Sequence, residues 1–237
     1  MHRSIVTGGT RGIGLAIAKA LLAEGGRVMI TGRDQARVDL AVRALGRDTT
    51  DASGVAGMAV DVRDRLAVET LVTETSRRFG GIDVLVNNAG VGVFVNAASM
   101  TDLDWDRVIG TNLTGVFYMT RAVIPELRRS GGGWIINIAS LAGRNYFPGG
   151  AAYCASKAGL VAFSESVMQE VRYDGIRVSV VMPGSVATEF SGRSEGEDDS
   201  WKLAPGDVAE VVADLIRHPG RSLPSKVEVR PAQPRKG

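Results

Sequence analysis

Hydrophobic residues along the chain fall into two alternating patterns. Short β-branched runs occur at residues 4–7, 27–31, 55–60, 82–86, 134–139, 176–182 and 226–230. Between them lie longer stretches with apolar residues at helical spacing, at 13–24, 34–45, 65–79, 102–129 and 151–173. Strand followed by helix, repeated, with strands apolar almost throughout, predicts a parallel sheet covered on both faces. The expected fold class is therefore α/β, a doubly wound, Rossmann-like parallel sheet of about seven strands in a single domain over residues 1–237. One stretch breaks the rhythm. Residues 189–200 are polar, with Gly192, Gly196 and the acids Glu195, Glu197, Asp198 and Asp199. This composition suits either a solvated loop or a mobile cover, and residues 189–204 are expected to form a mobile substrate loop.

Composition narrows the function classes. The 237 residues include 30 glycines, clustered between apolar runs with no repeat period, and aromatics are only 5%. The net charge of +2 comes without a basic stripe, so nucleic acid is not an expected partner. No apolar run approaches the roughly 18 residues that would span a bilayer. The N-terminus enters a short apolar stretch with no signal-peptide pattern, and a cytoplasmic setting is expected. Cys154 is the single cysteine, and His2 and His218 are the only histidines, so neither a disulfide framework nor a His/Cys metal site is expected.

The first candidate chemistry lies where the first strand gives way to a helix, in Thr7-Gly8-Gly9-Thr10-Arg11-Gly12-Ile13-Gly14. Glycines Gly8, Gly12 and Gly14 permit a tight turn and close approach of a pyrophosphate to backbone. The helix that follows presents unpaired N–H groups and the positive end of its dipole to that anion. The spacing is not the common G-x-G-x-x-G, and a ligand-free structural turn is the competing reading. Asp61-Val62 after the third strand and Asn87-Asn88-Ala89-Gly90 after the fourth place polar and small residues at neighbouring carboxyl ends, where ligands bind in such sheets. Asp61 and Asp34 could each serve instead as a helix cap.

The second lies after the fifth strand, which ends at Ser140. Tyr153 and Lys157 are four apart, so a helix sets them on one face. A neighbouring ammonium favours the phenolate and would lower the tyrosine's pKa toward neutrality. Ser140 offers a hydroxyl to a substrate oxygen. Alone, Tyr-x-x-x-Lys is weak evidence, since ordinary amphipathic helices contain many. Cys154 should point away from this face into the core.

Taken together and in order, these motifs resemble the short-chain dehydrogenases/reductases in their compact single-domain branch, over about residues 4–188. Thr7-Gly8-x-x-x-Gly12-x-Gly14 is similar to that family's cofactor loop. Asn112, within Thr111-Asn112-Leu113-Thr114-Gly115, matches its proton-relay asparagine. Ser140, Tyr153 and Lys157 match the rest of its catalytic group, and Pro183-Gly184-Ser185-Val186-Ala187-Thr188 resembles its nicotinamide-packing segment. The resemblance implies a hydride transfer between a nicotinamide dinucleotide and a carbonyl or alcohol carbon of a small molecule. Tyr153 would exchange the proton. Lys157 would lower its pKa and hold the ribose, Ser140 would orient the carbonyl, and Asn112 would hold a relay water. Asp61 and Val62 would contact adenine, and Val186 and Thr188 the carboxamide. It also implies a homo-oligomer, a tetramer with dimer contacts through helices 102–129 and 151–173.

The cofactor follows from the second strand. The position where the family places an acid for the ribose 2′-OH looks like Gly32, followed by Arg33, with Arg11 in the glycine loop as a second cation. These favour a 2′-phosphate, so NADP is expected over NAD; the rival reading makes Asp34 the ribose acid. Alternatives for the activity are a 3-oxoacyl-carrier-protein reductase-like enzyme, whose glycine-rich tail is missing from residues 226–234, and a non-catalytic dinucleotide-binding scaffold. The complete Asn112–Ser140–Tyr153–Lys157 set disfavours the scaffold.

Overall fold

A computed structural model describes residues 2–49, 51–191 and 199–234. Among these, seven strands form one parallel sheet in the order β3-β2-β1-β4-β5-β6-β7. The strands are β1 (Arg3–Val6), β2 (Arg27–Gly32), β3 (Val55–Ala59), β4 (Val84–Asn87), β5 (Gly133–Ile138), β6 (Ile176–Pro183) and β7 (Lys226–Val229). They coincide within two residues at either end with the β-branched runs. Alternation along the strands divides the core between the two faces. Val6, Ile30, Val86 and Ile136 face helices α1 (Gly12–Ala23), α2 (Gln35–Arg47) and α7 (Pro205–Arg217). Ile5, Met29, Leu85 and Ile135 face α3 (Arg65–Phe79), α5 (Gly115–Arg129) and α6 (Ala151–Val171).

The helix expected over 102–129 is three segments. After α4 (Asp102–Ile109), residues Gly110–Thr114 take π-helical hydrogen bonding before α5 resumes. Such an insertion bulges a helix locally and is common at functional sites; here it contains Asn112. The helix expected to reach Tyr173 ends at Val171, passes through a 3-10 turn at Arg172–Asp174 and stops at Gly175 with φ +72°. Helix α7 was not among the segments singled out by pattern. Its start is set by Pro205 and by the Asp207 carboxylate, which accepts from the Ala204 N–H at 2.8 Å.

Part of the expected mobile loop is tied down. Glu189–Ser191 forms a 3-10 turn. Leu203 is buried and pairs with the strand-end segment, its N–H donating to the Ser185 carbonyl at 3.0 Å while its carbonyl accepts from Ala187 at 2.8 Å. Residues 199–204 therefore belong to the frame. The centre of the loop, 192–198, lies outside the described residues. Among the described residues no helix is long and apolar enough to cross a membrane.

Candidate active site

The sheet order reverses between β1 and β4, which both run parallel from a shared register at Ser4↔Val84. Crossovers therefore leave in opposite directions there, and a crevice opens at the carboxyl ends of the strands. A single cleft of about 1490 Å³ occupies this position. Every residue assigned a cofactor-binding or catalytic role from sequence lines it except Gly14 and Asn112.

At its left end, β1 passes into the glycine loop. Thr7 Oγ1 accepts from the N–H groups of Asn88 and Ala89, each at 3.0 Å, and Asn88 Nδ2 donates to the carbonyls of Thr7 and Gly8. These bonds bind the loop to the end of β4. Gly8 and Gly12 have φ of +64° and +54°, a conformation other residues rarely adopt. A Cβ on Gly8 would also stand 2.9 Å from the Ala89 Cα. Gly14 has a different duty from the one expected. A Cβ there would lie 2.4 Å from both Asn88 Nδ2 and the Gly8 carbonyl, so it allows the loop to pack and does not face the cleft. Helix α1 begins at Gly12 with no side-chain cap and no acid in its first turn, leaving its leading N–H groups for an anion. Glycine at 9, not singled out from sequence, is equally constrained, with Ile30 2.8 Å from where its Cβ would be.

The adjoining lobe is cationic. Gly32 ends β2, where a Cβ would stand 2.7 Å from Thr10 Cγ2, so a larger residue would require the Thr10 side chain to move. Arg33 and Arg37 are exposed on the cleft wall. Asp34, which lines the cleft, caps α2, its Oδ1 accepting from the Arg37 N–H at 3.1 Å. Asp61 is not a cap, since Asp64 caps α3. Instead Asp61 pairs with Arg63 at 2.5 Å, and that hydrogen-bonded guanidinium holds its carboxyl below the usual carboxylate range. Arg63 was missed; an arginine two residues beyond an acid gives little signal in sequence. Arg11, on the lining of the cleft, pairs with Glu189 at 2.7 Å, the attraction of two exposed opposite charges.

The right end holds Ser140, Tyr153 and Lys157. Ser140 caps the 3-10 turn Leu141–Gly143, its Oγ accepting from the Ala142 N–H at 3.1 Å, and its hydroxyl exerts a lowering influence on the pKa of Tyr153. One turn on along α6, Lys157 is 4% exposed, and its Nζ donates to the Ile138 carbonyl at 2.8 Å. Its ammonium lies 5.8 Å from the Tyr153 ring centroid. Burial brings Lys157 from 10.5 down to about 8. Burial also pushes the Tyr153 phenol up, against the lowering influence of the Ser140 hydroxyl. In the protein chain itself, desolvation is the larger influence on the phenol. Asn112 is fully buried behind this group. Its Oδ1 accepts from the Val91 N–H at 2.8 Å, and its Nδ2 donates to the Val91 carbonyl at 2.9 Å and to Ser156 Oγ at 3.0 Å. Its side chain therefore fixes the segment after β4 to α6. Cys154 is buried, as expected for a small core residue.

Three phenylalanines escaped the sequence reading. Phe94, Phe147 and Phe190 line the same end of the cleft, from three separate loops. Loop aromatics between glycines, as in Phe147-Pro148-Gly149-Gly150, were the available signal.

Comparison with known proteins matches this arrangement. The family model described as short chain dehydrogenase matches residues 3–199. The chain belongs to the short-chain dehydrogenase family. It is accordingly an oxidoreductase that uses a nicotinamide dinucleotide. It is 44% identical over 192 residues to the monensin polyketide synthase putative ketoacyl reductase of Streptomyces virginiae, covering 80% of this chain and 72% of that one. It is 35% identical over 238 residues to an NADP-dependent 3-hydroxy acid dehydrogenase of Salmonella typhi, covering 96% and 94%. Among solved structures, a metagenomic short-chain oxidoreductase in complex with NADP superposes with a TM-score of 0.84 at 36% identity, covering 98% of this chain and 97% of that one.

Proposed function

We propose that this short-chain dehydrogenase is an NADP(H)-dependent carbonyl reductase or alcohol dehydrogenase in which Tyr153 is the general acid and base. The observation that carries the reading is one cleft that joins an uncapped, glycine-lined helix start to the Ser140–Tyr153–Lys157 group. The residues fit the cofactor: Gly8 and Gly12 leave room at the loop, and the lobe beside Gly32 holds Arg33 and Arg37 where a 2′-phosphate would be recognised. Thr10, Arg11 and Ile13 face the pyrophosphate region. Asp61 and Val62 bound the adenine end, Asn88, Ala89 and Gly90 form the floor, and Pro183, Gly184, Val186 and Thr188 form the nicotinamide wall.

Bound NADP(H) supplies or accepts the hydride. The chain supplies position and protons. Ser140 orients the carbonyl oxygen and donates a hydrogen bond to it. Tyr153, kept protonated through neutral pH by burial, gives its proton to that oxygen during reduction. Lys157, mostly protonated at pH 7, stabilises the phenolate that is left and holds the ribose. Asn112 positions Val91 and Ser156 around this group, and a water beside it would connect Lys157 to solvent. The relatives' substrates, ketoacyl groups and 3-hydroxy acids, share the required C=O or CH–OH carbon. NADPH oxidation followed by absorbance with a ketone panel, in wild type and Tyr153→Phe, tests the assignment; equal rates in both overturn it.

The assembly is a homotetramer in the cytoplasm. Exposed Leu103 and Trp105 on α4 and Phe117 on α5, together with Tyr173 after α6, leave apolar surface on the helices expected to pair. A monomer by light scattering at micromolar concentration would refute this.

A further inference from the structure

We propose that the carbonyl substrate carries an aromatic ring next to the reacting carbon, received by Phe94, Phe147 and Phe190 beside Tyr153. This rests on the oxidoreductase reading above and adds a substrate class to it. The whole chain has six phenylalanines in 237 residues; two of these three pack against the reacting tyrosine and the third packs against Phe94. Phe94 stands edge-on to Tyr153, with ring centroids 5.5 Å apart at 70°. Phe190 lies 5.8 Å from the same ring at 55°, and Phe147 lies 5.9 Å from Phe94 at 43°. None is a core residue: they are 46%, 42% and 40% exposed for Phe94, Phe147 and Phe190. Apolar surface left open beside a reactive group marks a ligand contact.

The backbone is shaped around the rings. A Cβ on Gly92 would lie 2.8 Å from Phe94 and 3.0 Å from Phe190, and one on Gly150 would lie 2.6 Å from Phe147. Rings already tilted and edge-on at these separations offer edges and faces to a further ring. A straight acyl chain gains only the area it buries, whereas a ring adds the edge-to-face term, roughly 2- to 10-fold in affinity for each favourable pair. In the reduction the carbonyl carbon receives the hydride of NADPH and the oxygen receives the Tyr153 proton. The products are a secondary alcohol and NADP⁺, and Tyr153 is reprotonated from solvent.

The test compares kcat/KM, with NADPH, for propiophenone and for the N-acetylcysteamine thioester of 3-oxohexanoate. The expected result is at least about a 10-fold preference for the aryl ketone. Phe94→Ala and Phe190→Ala each lower the aryl-to-thioester ratio by roughly 3- to 10-fold, mainly through KM. Phe94→Leu, which keeps apolar volume but not the ring, lowers it as well. A readout independent of turnover is calorimetric titration of propiophenone into NADPH-loaded Tyr153→Phe, which keeps the ring but has no proton to give; saturable binding weakened by Phe94→Ala supports the site. Preferred turnover of the thioester, or a ratio unmoved by these variants, overturns the aryl assignment and leaves the oxidoreductase reading standing. No turnover of propiophenone by enzyme that binds NADPH and reduces another ketone of the panel likewise overturns the aryl assignment alone, whereas equal panel rates in wild type and Tyr153→Phe overturn the reading beneath it.

Discussion

Replacing Lys157 by methionine should abolish catalysis and yet make the cofactor-free protein more stable at neutral pH. The ammonium is 4% exposed, has the Ile138 carbonyl as a hydrogen-bond acceptor at 2.8 Å, and owes its lowered pKa to burial alone. Folded, it gives up its proton near pH 8; its ordinary value is 10.5. Between these values the unfolded chain binds more protons than the folded one, so stability rises with pH. The cost is thus fully present below about pH 8 and is relieved as pH approaches 10.5. At 1.36 kcal/mol per pH unit, it amounts to roughly 3 kcal/mol at pH 7. Methionine has similar length and no charge, but it leaves the Ile138 carbonyl without Nζ, which costs about 1 kcal/mol or somewhat more. The net gain is about 1–2 kcal/mol, or an increase in Tm of roughly 2–8 °C for a chain of this size. The measurement is urea unfolding of both proteins without cofactor at pH 7 and about pH 9.5. Wild type should recover roughly 2 kcal/mol relative to the variant over that interval, because every other titrating group is common to both. A constant stability difference between the two pH values would refute the claim that Lys157 is held as a costly buried cation.

Three further outcomes follow from the same geometry. Tyr153→Phe should lower kcat by about 10²–10⁴-fold, with NADPH affinity in a fluorescence titration unchanged within about 2-fold. Because burial pushes the phenol up, alcohol oxidation, which needs it deprotonated, should accelerate toward alkaline pH; a kcat/KM profile that is flat from pH 6 to 10 would contradict this. Arg33→Ala should raise KM for NADPH over that for NADH by roughly 10–150-fold, the range of one charge-assisted hydrogen bond, and equal native affinity for NADH and NADPH would remove the basis for the assignment.

Much of this architecture was legible from pattern because a parallel sheet demands continuous apolar strands, and those at β1, β2, β4, β5 and β6 are buried on both faces. Gly8, Gly12, Ser140, Tyr153 and Lys157 were legible because tight turns and helical i,i+4 spacing leave signatures in local sequence. What was illegible depends on distant partners. The π segment at Gly110–Thr114 has no local marker; it accompanies Asn112 reaching Val91 and Ser156, residues 21 and 44 positions away. The Arg11–Glu189 pair spans 178 positions, and the arginine's charge alone suggested a phosphate partner. The desolvation of Tyr153 was illegible for a related reason. Spacing shows that a lysine is near but not how much water both groups have lost.

These illegible features fall in one place, and there is a physical reason for that. A buried ammonium and a desolvated phenol each oppose folding. They persist at the carboxyl ends of β4 and β5 because the surrounding contacts leave no cheaper arrangement. Beneath them, Asn87 Nδ2 donates to Asn137 Oδ1 at 2.8 Å, and Asn137 Nδ2 donates to Ser164 Oγ at 2.8 Å, tying β4 and β5 to α6 below the reacting group. Thr7 and Asn88 do the same between β1 and β4. With the strand ends so fixed, Ser140 and Tyr153 cannot drift apart to rehydrate, nor can Lys157 reach solvent without breaking its bond to Ile138. The sheet's switch point therefore supplies more than a crevice. It holds together polar groups that would separate in water, and their proximity, kept at a cost to stability, is what proton transfer requires.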